Sequence, residues 1–292
     1  MQYEVELVVD AKATLGEGPC WDEENQLLYW VDIEGKNIHE YNPTTNENRS
    51  IIVEKMVGAI VLRKQGGAIV ATENGFHFLN LKTGETEEIH DPENHLPNNR
   101  FNDGKCDPYG RFWAGTMDRY ATKGKGALYC IDNNLIVSQK LDNVGISNGL
   151  AWSPDHSFMY YIDTLTKSVV RFDYDWKTGE IGNQKEVIRI PDGDGLPDGL
   201  TIDSEGNLWV AHWGGAKITN WNPVTGELLE TISIPALNVT SCTFGGKDLD
   251  ELYVTTARTG TDEKTLEDFP HAGGVFKVKT VKKGIKTYRF HG

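Results

Sequence analysis

Oxygen-bearing side chains recur beside glycines at regular intervals in this 292-residue chain. Asn148-Gly149 and Asp198-Gly199 each begin a module of two short apolar segments joined by a turn, and Glu17-Gly18 begins a similar module. Asn102 occupies the corresponding position in another copy. Carboxylate and amide oxygens are the ligands that hard divalent cations use. The pattern therefore makes Glu17, Asn148 and Asp198 candidate metal ligands, and Asn102 either an ion ligand or a substrate contact.

Each of these residues has an ordinary explanation when it is taken alone. Asn-Gly and Asp-Gly dipeptides are typical of tight turns, and an isolated Glu17 is most simply a solvated surface acid. Turn chemistry explains the glycines, but it does not explain why the preceding residue falls at the same point of each copy. The joint pattern favours a metal site.

The module occurs six times along the chain. Its leading residues are Glu17, Gly58, Asn102, Asn148, Asp198 and Thr240. Their spacing of roughly 41 to 50 residues is that of a four-stranded propeller blade. A third apolar segment and a Thr-Gly-Glu turn follow in several copies, at residues 83–85, 178–180 and 225–227, and no segment has a sustained helical period. The sequence predicts an all-β fold, a six-bladed β-propeller with four-stranded blades, formed by residues 1–292 as a single domain.

The segment before the first copy, residues 3–9, alternates in polarity like a strand. We expect this N-terminal strand to pair with the last blade, because that pairing closes the ring and removes a free sheet edge. The innermost strand of every blade lines the central channel of a propeller. The leading residues of the six copies should therefore face one another around the channel.

Charge and cysteine content narrow the functional class. The formal net charge of −14 argues against nucleic acid and anionic membrane as partners, because both require basic patches. The first residues lack a signal-peptide pattern, and no segment has the length of a membrane span. Cys20, Cys106, Cys130 and Cys242 are widely spaced, which predicts buried free thiols rather than disulfides. A soluble, cytoplasmic protein is expected.

Other motifs carry weaker signals. Residues 192–195 (Asp-Gly-Asp-Gly) begin like a calcium loop but lack its later acidic ligands, so a plain loop is the preferred interpretation. His212 follows an apolar strand and is more simply a hydrogen-bonded structural residue than a channel ligand. The chain has no Gly-x-Ser-x-Gly motif, so serine-hydrolase chemistry has no nucleophile to use.

Several motifs resemble those of one known family along nearly the whole chain. They are Leu15-Gly16-Glu17-Gly18-Pro19, Asn99-Arg100-Phe101-Asn102-Asp103-Gly104-Lys105, Ala114-Gly115-Thr116-Met117, Ile146-Ser147-Asn148-Gly149-Leu150, Pro197-Asp198-Gly199 and residues 240–247 and 272–277. Their combination resembles the regucalcin (senescence marker protein) and gluconolactonase family. The resemblance implies a six-bladed propeller with one catalytic divalent cation, which hydrolyses sugar lactones to aldonic acids.

The resemblance also assigns roles to individual residues. Glu17, Asn148 and Asp198 match the family's metal ligands, and Asp198 matches the residue assigned proton transfer. Arg100 and Asn102 match positions that contact substrate. One departure concerns Tyr120, which stands where regucalcin carries a substrate-contacting acid, in a segment from 118 to 125 that looks shorter than the corresponding lid. The departure leaves the sugar preference open.

The expected function is divalent-metal-dependent hydrolysis of a gluconolactone-like sugar lactone, a carboxylic-ester hydrolase reaction. A calcium-dependent esterase or phosphotriesterase and a non-catalytic calcium-binding propeller are the alternatives. Carboxylate and amide oxygens accept calcium, zinc, manganese or magnesium, so the native cation is not specified. The expected partner is a small-molecule sugar lactone, with neither nucleic acid nor membrane, and the expected state is a monomer or weak homo-oligomer.

Overall fold

The computed structural model describes residues 3–292, which form six four-stranded antiparallel sheets arranged as the blades of a β-propeller. The N-terminal strand β1 (Val5–Val9) belongs to the sixth blade. Blade 1 comprises β2 (Gly16–Asp22), β3 (Leu27–Asp32), β4 (Asn37–Asn42) and β5 (Glu47–Ile52). Blade 2 comprises β6 (Val57–Leu62), β7 (Ala68–Thr72), β8 (Gly75–Leu79) and β9 (Thr86–His90). Blade 3 comprises β10 (Asn99–Cys106), β11 (Phe112–Asp118), β12 (Gly126–Ile131) and β13 (Val137–Val144).

The second half of the chain repeats this plan. Blade 4 comprises β14 (Ser147–Trp152), β15 (Phe158–Asp163), β16 (Ser168–Asp175) and β17 (Glu180–Arg189). Blade 5 comprises β18 (Leu196–Ile202), β19 (Leu208–Trp213), β20 (Lys217–Asn222) and β21 (Glu227–Ser233). Blade 6 comprises β22 (Asn238–Gly245), β23 (Glu251–Ala257) and β24 (Val275–Lys279), together with β1. Within the described residues the helices are a 3₁₀ turn at Thr164–Thr166 and α1 (Glu263–Asp268). The predicted fold is confirmed.

The N-terminal strand closes the ring. β1 pairs antiparallel with β24, with Val5 opposite Val278 and Leu7 opposite Phe276. The first and last parts of the chain thus share one sheet, and β24 has a partner on both sides. This pairing confirms the prediction that the segment 3–9 completes the last blade.

In blades 2 to 6 the innermost strand breaks its regular pairing at the leading residue of the repeat. The ladder between the first and second strands shifts register around Gly58 in blade 2, Asn102 in blade 3, Asn148 in blade 4, Asp198 in blade 5 and Thr240 in blade 6. A β-bulge re-aims the side chain at that point and bends the strand. Because the bulge recurs, the leading side chain in each of these blades departs from the regular alternation of the strand.

Blade 1 differs in its register. Glu17 remains paired with Val31, and the shift follows it, at Gly18 and Pro19. Glu17 therefore lies one residue earlier than the bulged positions of blades 3 to 5. Gly18 has a φ of +50°, a left-handed conformation that disfavours a side chain. The glutamate side chain is one methylene longer than aspartate, which compensates for the earlier position.

Two aspartates at the ends of second strands hold the segments that enter the innermost strands. The Asp32 carboxylate accepts hydrogen bonds from the backbone N–H groups of Thr14 and Leu15, at 3.0 and 2.9 Å. Asp163 accepts in the same way from Gly145 and Ile146, at 2.9 and 3.0 Å. A carboxylate that satisfies consecutive backbone donors fixes the loop path. These clamps position the chain just before Glu17 and Asn148.

The C-terminal segment crosses the opposite end of the propeller from the beginnings of the innermost strands. Gly284 forms a bridge with Asp203, and Phe290 forms a parallel bridge with Arg63. Arg289 pairs with Asp22. Phe290 is fully buried in the cluster formed by blades 2 and 3. The segment thereby connects the lower ends of several blades, and we call it the C-terminal strap (residues 281–292).

The remaining structural predictions concern buried polar and sulfur groups. Cys20, Cys106, Cys130 and Cys242 are buried and free, as expected. His212 is buried, with its two ring nitrogens 2.8 Å from the Asp194 carbonyl oxygen and 2.6 Å from the Thr219 hydroxyl. It is thus a hydrogen-bonded structural histidine. Between residues 3 and 292 no helix is long and apolar enough to cross a membrane.

Replacing Phe290 by alanine should destabilise the protein by about 3–5 kcal/mol, because the truncation leaves a cavity beneath the strap. The free energy of unfolding in urea measures this loss. Val224, which is 87% exposed, provides the control, since Val224→Ala should change stability by no more than about 0.5 kcal/mol. Equal stability of Phe290→Ala and the native chain would contradict a structural role for the strap.

Candidate functional site

Glu17, Asn148 and Asp198 meet at the end of the channel where the innermost strands begin, which we call the upper end. Their exposed fractions are 4%, 3% and 5%. The carboxyl groups of Glu17 and Asp198 lie near enough to perturb each other's pKa, and the Asn148 side chain lies near enough to lower the pKa of Asp198. The structure therefore brings together the three side chains predicted as metal ligands, on β2, β14 and β18.

Burial and mutual repulsion dominate the electrostatics of this group. Burial, and next the negative charge of Asp103, raise the pKa of Glu17 to about 8. Burial, and next the charges of Glu17 and Asp103, raise the pKa of Asp198 well above its usual range. Crowded, desolvated carboxylates resist ionisation unless a cation compensates them. The two carboxyl groups are therefore favoured in one of two states: either they share protons, or a cation is bound beside them.

The hydrogen bonds of Asn148 fix the orientation of its amide group. Its Nδ2 donates to the Thr164 hydroxyl at 2.8 Å, and that hydroxyl donates to the Pro197 carbonyl oxygen at 2.8 Å. Because the Thr164 proton is already used, Thr164 can only accept from Asn148. The Asn148 Oδ1 atom accepts from the Asn102 Nδ2 atom at 3.3 Å. Glu17, Asn148 and Asp198 thus bring oxygen-bearing side chains from three strands to one region.

The residues fit a hard divalent cation. No ion pair formed among residues 3–292 includes Glu17 or Asp198. In the same part of the chain, no cluster of three or more His, Cys, Asp or Glu side chains is arranged to hold a metal. The candidate set differs from such a cluster, because it combines two carboxylates with an amide. All-oxygen donors of this kind suit calcium, magnesium or manganese.

The side-chain amide of Asn102 already forms hydrogen bonds with other residues. Its Oδ1 accepts from the Arg100 Nη1 atom at 2.7 Å, and its Nδ2 donates to the Ser147 carbonyl oxygen at 2.8 Å. A second contact of 3.3 Å joins Nδ2 to the Asn148 Oδ1 atom. An amide oxygen already bonded to a guanidinium is a poor metal ligand. Of the two roles left open for Asn102, the geometry favours a substrate or positioning contact.

Arg100 is a buried cation that forms no ion pair with a carboxylate among residues 3–292. Its Nη1 also donates to the Phe101 carbonyl oxygen at 2.9 Å, and burial lowers its pKa to about 10. Its Nε and Nη2 atoms make no hydrogen bond with any described residue, yet neither is among the fully buried polar atoms that lack a partner. These two donors therefore retain some solvent exposure.

Two charged residues near the site were missed by sequence reasoning. Asp103, 4% exposed, raises the pKa of both Glu17 and Asp198, and Lys105 reaches across the channel to the Leu200 carbonyl oxygen at 2.8 Å. Asp103 is followed by Gly104, and an Asp-Gly dipeptide is typical of a turn. Asp103 and Lys105 lie two positions apart on one strand, and this spacing of charged residues was the sequence feature that could have indicated their role near the site.

Tyr120 lies in the connection between β11 and β12 and is 79% exposed. Its backbone N–H donates to the Asp118 carboxylate at 2.8 Å, as part of a tight turn. The neighbouring Arg119 pairs with Glu73 of blade 2. The side chain of Tyr120 is exposed at the upper surface, so the structure does not assign it a contact in the channel.

The fold and this group of side chains define a class of protein: a six-bladed β-propeller with a buried set of carboxylate and amide oxygens at one end of its channel. A family model described as "SMP-30/Gluconolactonase/LRE-like region" matches residues 15–258. The chain belongs to this SMP-30/gluconolactonase/LRE-like family.

Relatives of known name cover almost the entire chain. YvrE of Bacillus subtilis (strain 168), named as a proposed sugar lactone lactonase, is 41% identical over 286 residues, 98% of each chain. Regucalcin of Xenopus laevis is 40% identical over 294 residues, 99% of this chain and 98% of its own. Among solved structures, a luciferin-regenerating enzyme is 38% identical with a TM-score of 0.93 and 99% coverage of both chains. A calcium-binding regucalcin of Agrobacterium tumefaciens str. C58 is 26% identical with a TM-score of 0.95, covering 100% of this chain and 98% of its own.

Replacing Glu17 by glutamine should stabilise the metal-free protein at alkaline pH. The native pKa of Glu17 is about 8 against 4.5 for the free side chain, so its contribution to stability is present below pH 4.5 and is lost as the pH rises through 8. The neutral amide avoids this loss, which is on the order of several kcal/mol.

Thermal unfolding with excess chelator measures this effect. Glu17→Gln should have a higher Tm than the native chain at about pH 8.5, and the difference should shrink towards about pH 5. Glu87→Gln, on the exposed strand β9, is the control and should show no pH-dependent gain. A Glu17→Gln variant that is less stable at both pH values would contradict the predicted repulsion.

Proposed function

We propose that this protein hydrolyses a sugar lactone, of the gluconolactone type, to the aldonic acid in a reaction that depends on one divalent cation. The observation that carries the proposal is the meeting of Glu17, Asn148 and Asp198, three buried oxygen-bearing side chains that form no ion pair in the described part of the chain. Family membership supports it, as does 41% identity to a protein named as a proposed sugar lactone lactonase.

The three oxygen donors would hold the cation at the upper end of the channel. A divalent cation supplies Lewis-acid stabilisation of the negative charge that develops on the lactone carbonyl oxygen. Asp198 would accept a proton from the attacking water and return it to the ring oxygen as the ester bond breaks. Its location on a bulge in β18 and its buried position would keep this carboxylate oriented towards the reacting atoms.

Arg100 and Asn102 would bind the sugar. The unoccupied Nε and Nη2 donors of Arg100 form the planar fork that suits pairs of substrate oxygens. Asn102 fixes the guanidinium through its 2.7 Å hydrogen bond to Nη1, while its own amide is held by the Ser147 carbonyl oxygen. This chain of contacts would preorganise the substrate relative to Asp198, which lowers the entropic part of the barrier.

The proposed partner is a free small molecule rather than a macromolecule. The net charge of −14 disfavours polyanions such as nucleic acid. The four buried free thiols are typical of a reducing compartment, which supports a cytoplasmic location. A monomer or weak homo-oligomer suffices, since the proposed ligand set comes from one chain.

The substrate test is a panel of sugar lactones, aliphatic lactones, aryl esters and organophosphates, assayed after chelator treatment and addition of one cation at a time. Acid release from sugar lactones with calcium, zinc, manganese or magnesium supports the proposal. Faster turnover of aryl esters or organophosphates favours a promiscuous calcium-dependent hydrolase. Cation binding without turnover of any substrate favours a non-catalytic calcium-binding propeller.

Asp198 provides the sharpest mutational test. Asp198→Ala should abolish lactone hydrolysis and most of the cation affinity, because it removes both an oxygen ligand and the proton acceptor. Asp198→Asn keeps an oxygen ligand but cannot accept a proton, so it should retain measurable cation binding while kcat falls by about 10²–10⁴-fold. Steady-state acid release and isothermal titration calorimetry measure the two effects separately.

Asp192→Ala is the matched control for these variants. Asp192 lies in the loop before β18, and its side chain is 91% exposed, so its removal should leave turnover and cation affinity unchanged. Normal turnover by Asp198→Ala would refute the role of this residue. Equal loss of cation binding in Asp198→Ala and Asp198→Asn would refute the separation of its two roles.

A further inference from the structure

Lys105 spans the central channel below the candidate metal ligands. It lies on β10 in blade 3, and its Nζ atom donates to the Leu200 carbonyl oxygen on β18 in blade 5, at 2.8 Å. Blade 4 lies between these two blades, so the side chain bridges strands that are not neighbours in the ring. Lys105 thus forms part of a floor beneath the upper end of the channel.

The ammonium group of Lys105 lies near the charged side chain of Asp103 without forming an ion pair with it. Between residues 3 and 292, no ion pair includes Lys105 or Asp103. Lys105 follows Asp103 by two residues on β10, and both residues line the same small cavity. Burial raises the pKa of Asp103, and the positive charge of Lys105 partly offsets this rise. Burial lowers the pKa of Lys105, and the negative charge of Asp103 partly offsets that fall. The two groups therefore act as a loosely coupled pair, in which Asp103 is buried and Lys105 is partly buried.

A small cavity lies on the lower side of Lys105. Its volume is about 60 Å³, enough for a few water molecules at roughly 10–15 Å³ each. Lys105, Asp103 and Ser241 contribute polar groups to its lining, and the C-terminal strap closes it through residues 285–288. Water in this cavity can solvate the ammonium protons that Leu200 does not use. The cavity thus gives Lys105 an environment in which its charge can persist.

We propose that Lys105 is a fixed internal cation whose charge holds down the affinity of Glu17, Asn148 and Asp198 for a divalent cation. The proposal rests on the metal dependence inferred above. A unit charge inside the channel repels a dication by Coulomb's law, and the low polarisability of the surroundings strengthens this repulsion relative to water. Burial also limits screening by salt. Lys105 acts through the electrostatics of the site and is a positioning residue without contact to substrate.

Two variants separate the charge of Lys105 from its hydrogen bond. Lys105→Gln removes the charge and keeps an N–H donor for the Leu200 carbonyl oxygen, whereas Lys105→Met removes both. Isothermal titration calorimetry with calcium chloride on chelator-stripped protein should give a Kd at least about tenfold lower for both variants than for the native chain. The gain should persist in about 0.5 M sodium chloride, since buried charges are poorly screened. A merely structural role for Lys105 would weaken calcium binding instead.

Lys123→Gln is the matched control. Lys123 is exposed in the connection between β11 and β12, so loss of its charge should change calcium affinity little, and any change should vanish in high salt. Circular dichroism establishes that each variant is folded. Unchanged or weaker calcium binding by folded Lys105→Gln would overturn the proposal, as would tighter binding by Lys105→Met alone.

The experiment also distinguishes this inference from the proposed function. If the native chain binds no divalent cation, the proposed function and the role of Lys105 both fail. If the native chain binds calcium and the Lys105 variants bind it equally well, the role of Lys105 fails alone.

Discussion

The cost of burying two carboxylates side by side governs the upper end of the channel. Glu17 and Asp198 are almost fully buried, and burial raises the pKa of both. Negative charge raises these pKa values further, that of Asp103 at Glu17 and those of Glu17 and Asp103 at Asp198. Such an arrangement persists only where the surrounding backbone is firmly fixed. Ring closure by β1, the Asp32 and Asp163 clamps and the paired blades supply that rigidity. A stable scaffold thus holds side chains in a geometry that favours a bound cation.

The β-bulge is the structural device that converts a repeated blade into a site. A regular strand alternates its side chains between its two faces, whereas the bulges around Asn102, Asn148 and Asp198 interrupt that alternation at the same point of three blades. The same interruption occurs around Gly58 and Thr240, where the side chains supply no strong ligand. The fold therefore repeats the geometry in nearly every blade, and residue identity decides which blades contribute chemistry.

The lower part of the channel has a different character. Lys105, a small polar cavity and the C-terminal strap lie there in succession. The strap packs Phe290 into the apolar cluster of blades 2 and 3, so closing this end is coupled to core packing. The strap thus supports this end of the channel by packing, and Asp103 and Lys105 lie between it and the candidate ligands.

The sequence by itself determined the number of blades, the closing strand and the three candidate ligands, because spacing and the polar residue beside each glycine repeat with the blade. It could not determine the one-residue offset of Glu17, since a bulge changes pairing without changing the local pattern. Nor could it indicate that Arg100 occupies the Asn102 oxygen, or that Asp103 and Lys105 join the buried charges. The Arg100–Asn102 contact lies at the bulge of β10, whereas the Lys105–Leu200 contact joins residues 95 positions apart. Only the closed ring decides which side chains meet across its channel.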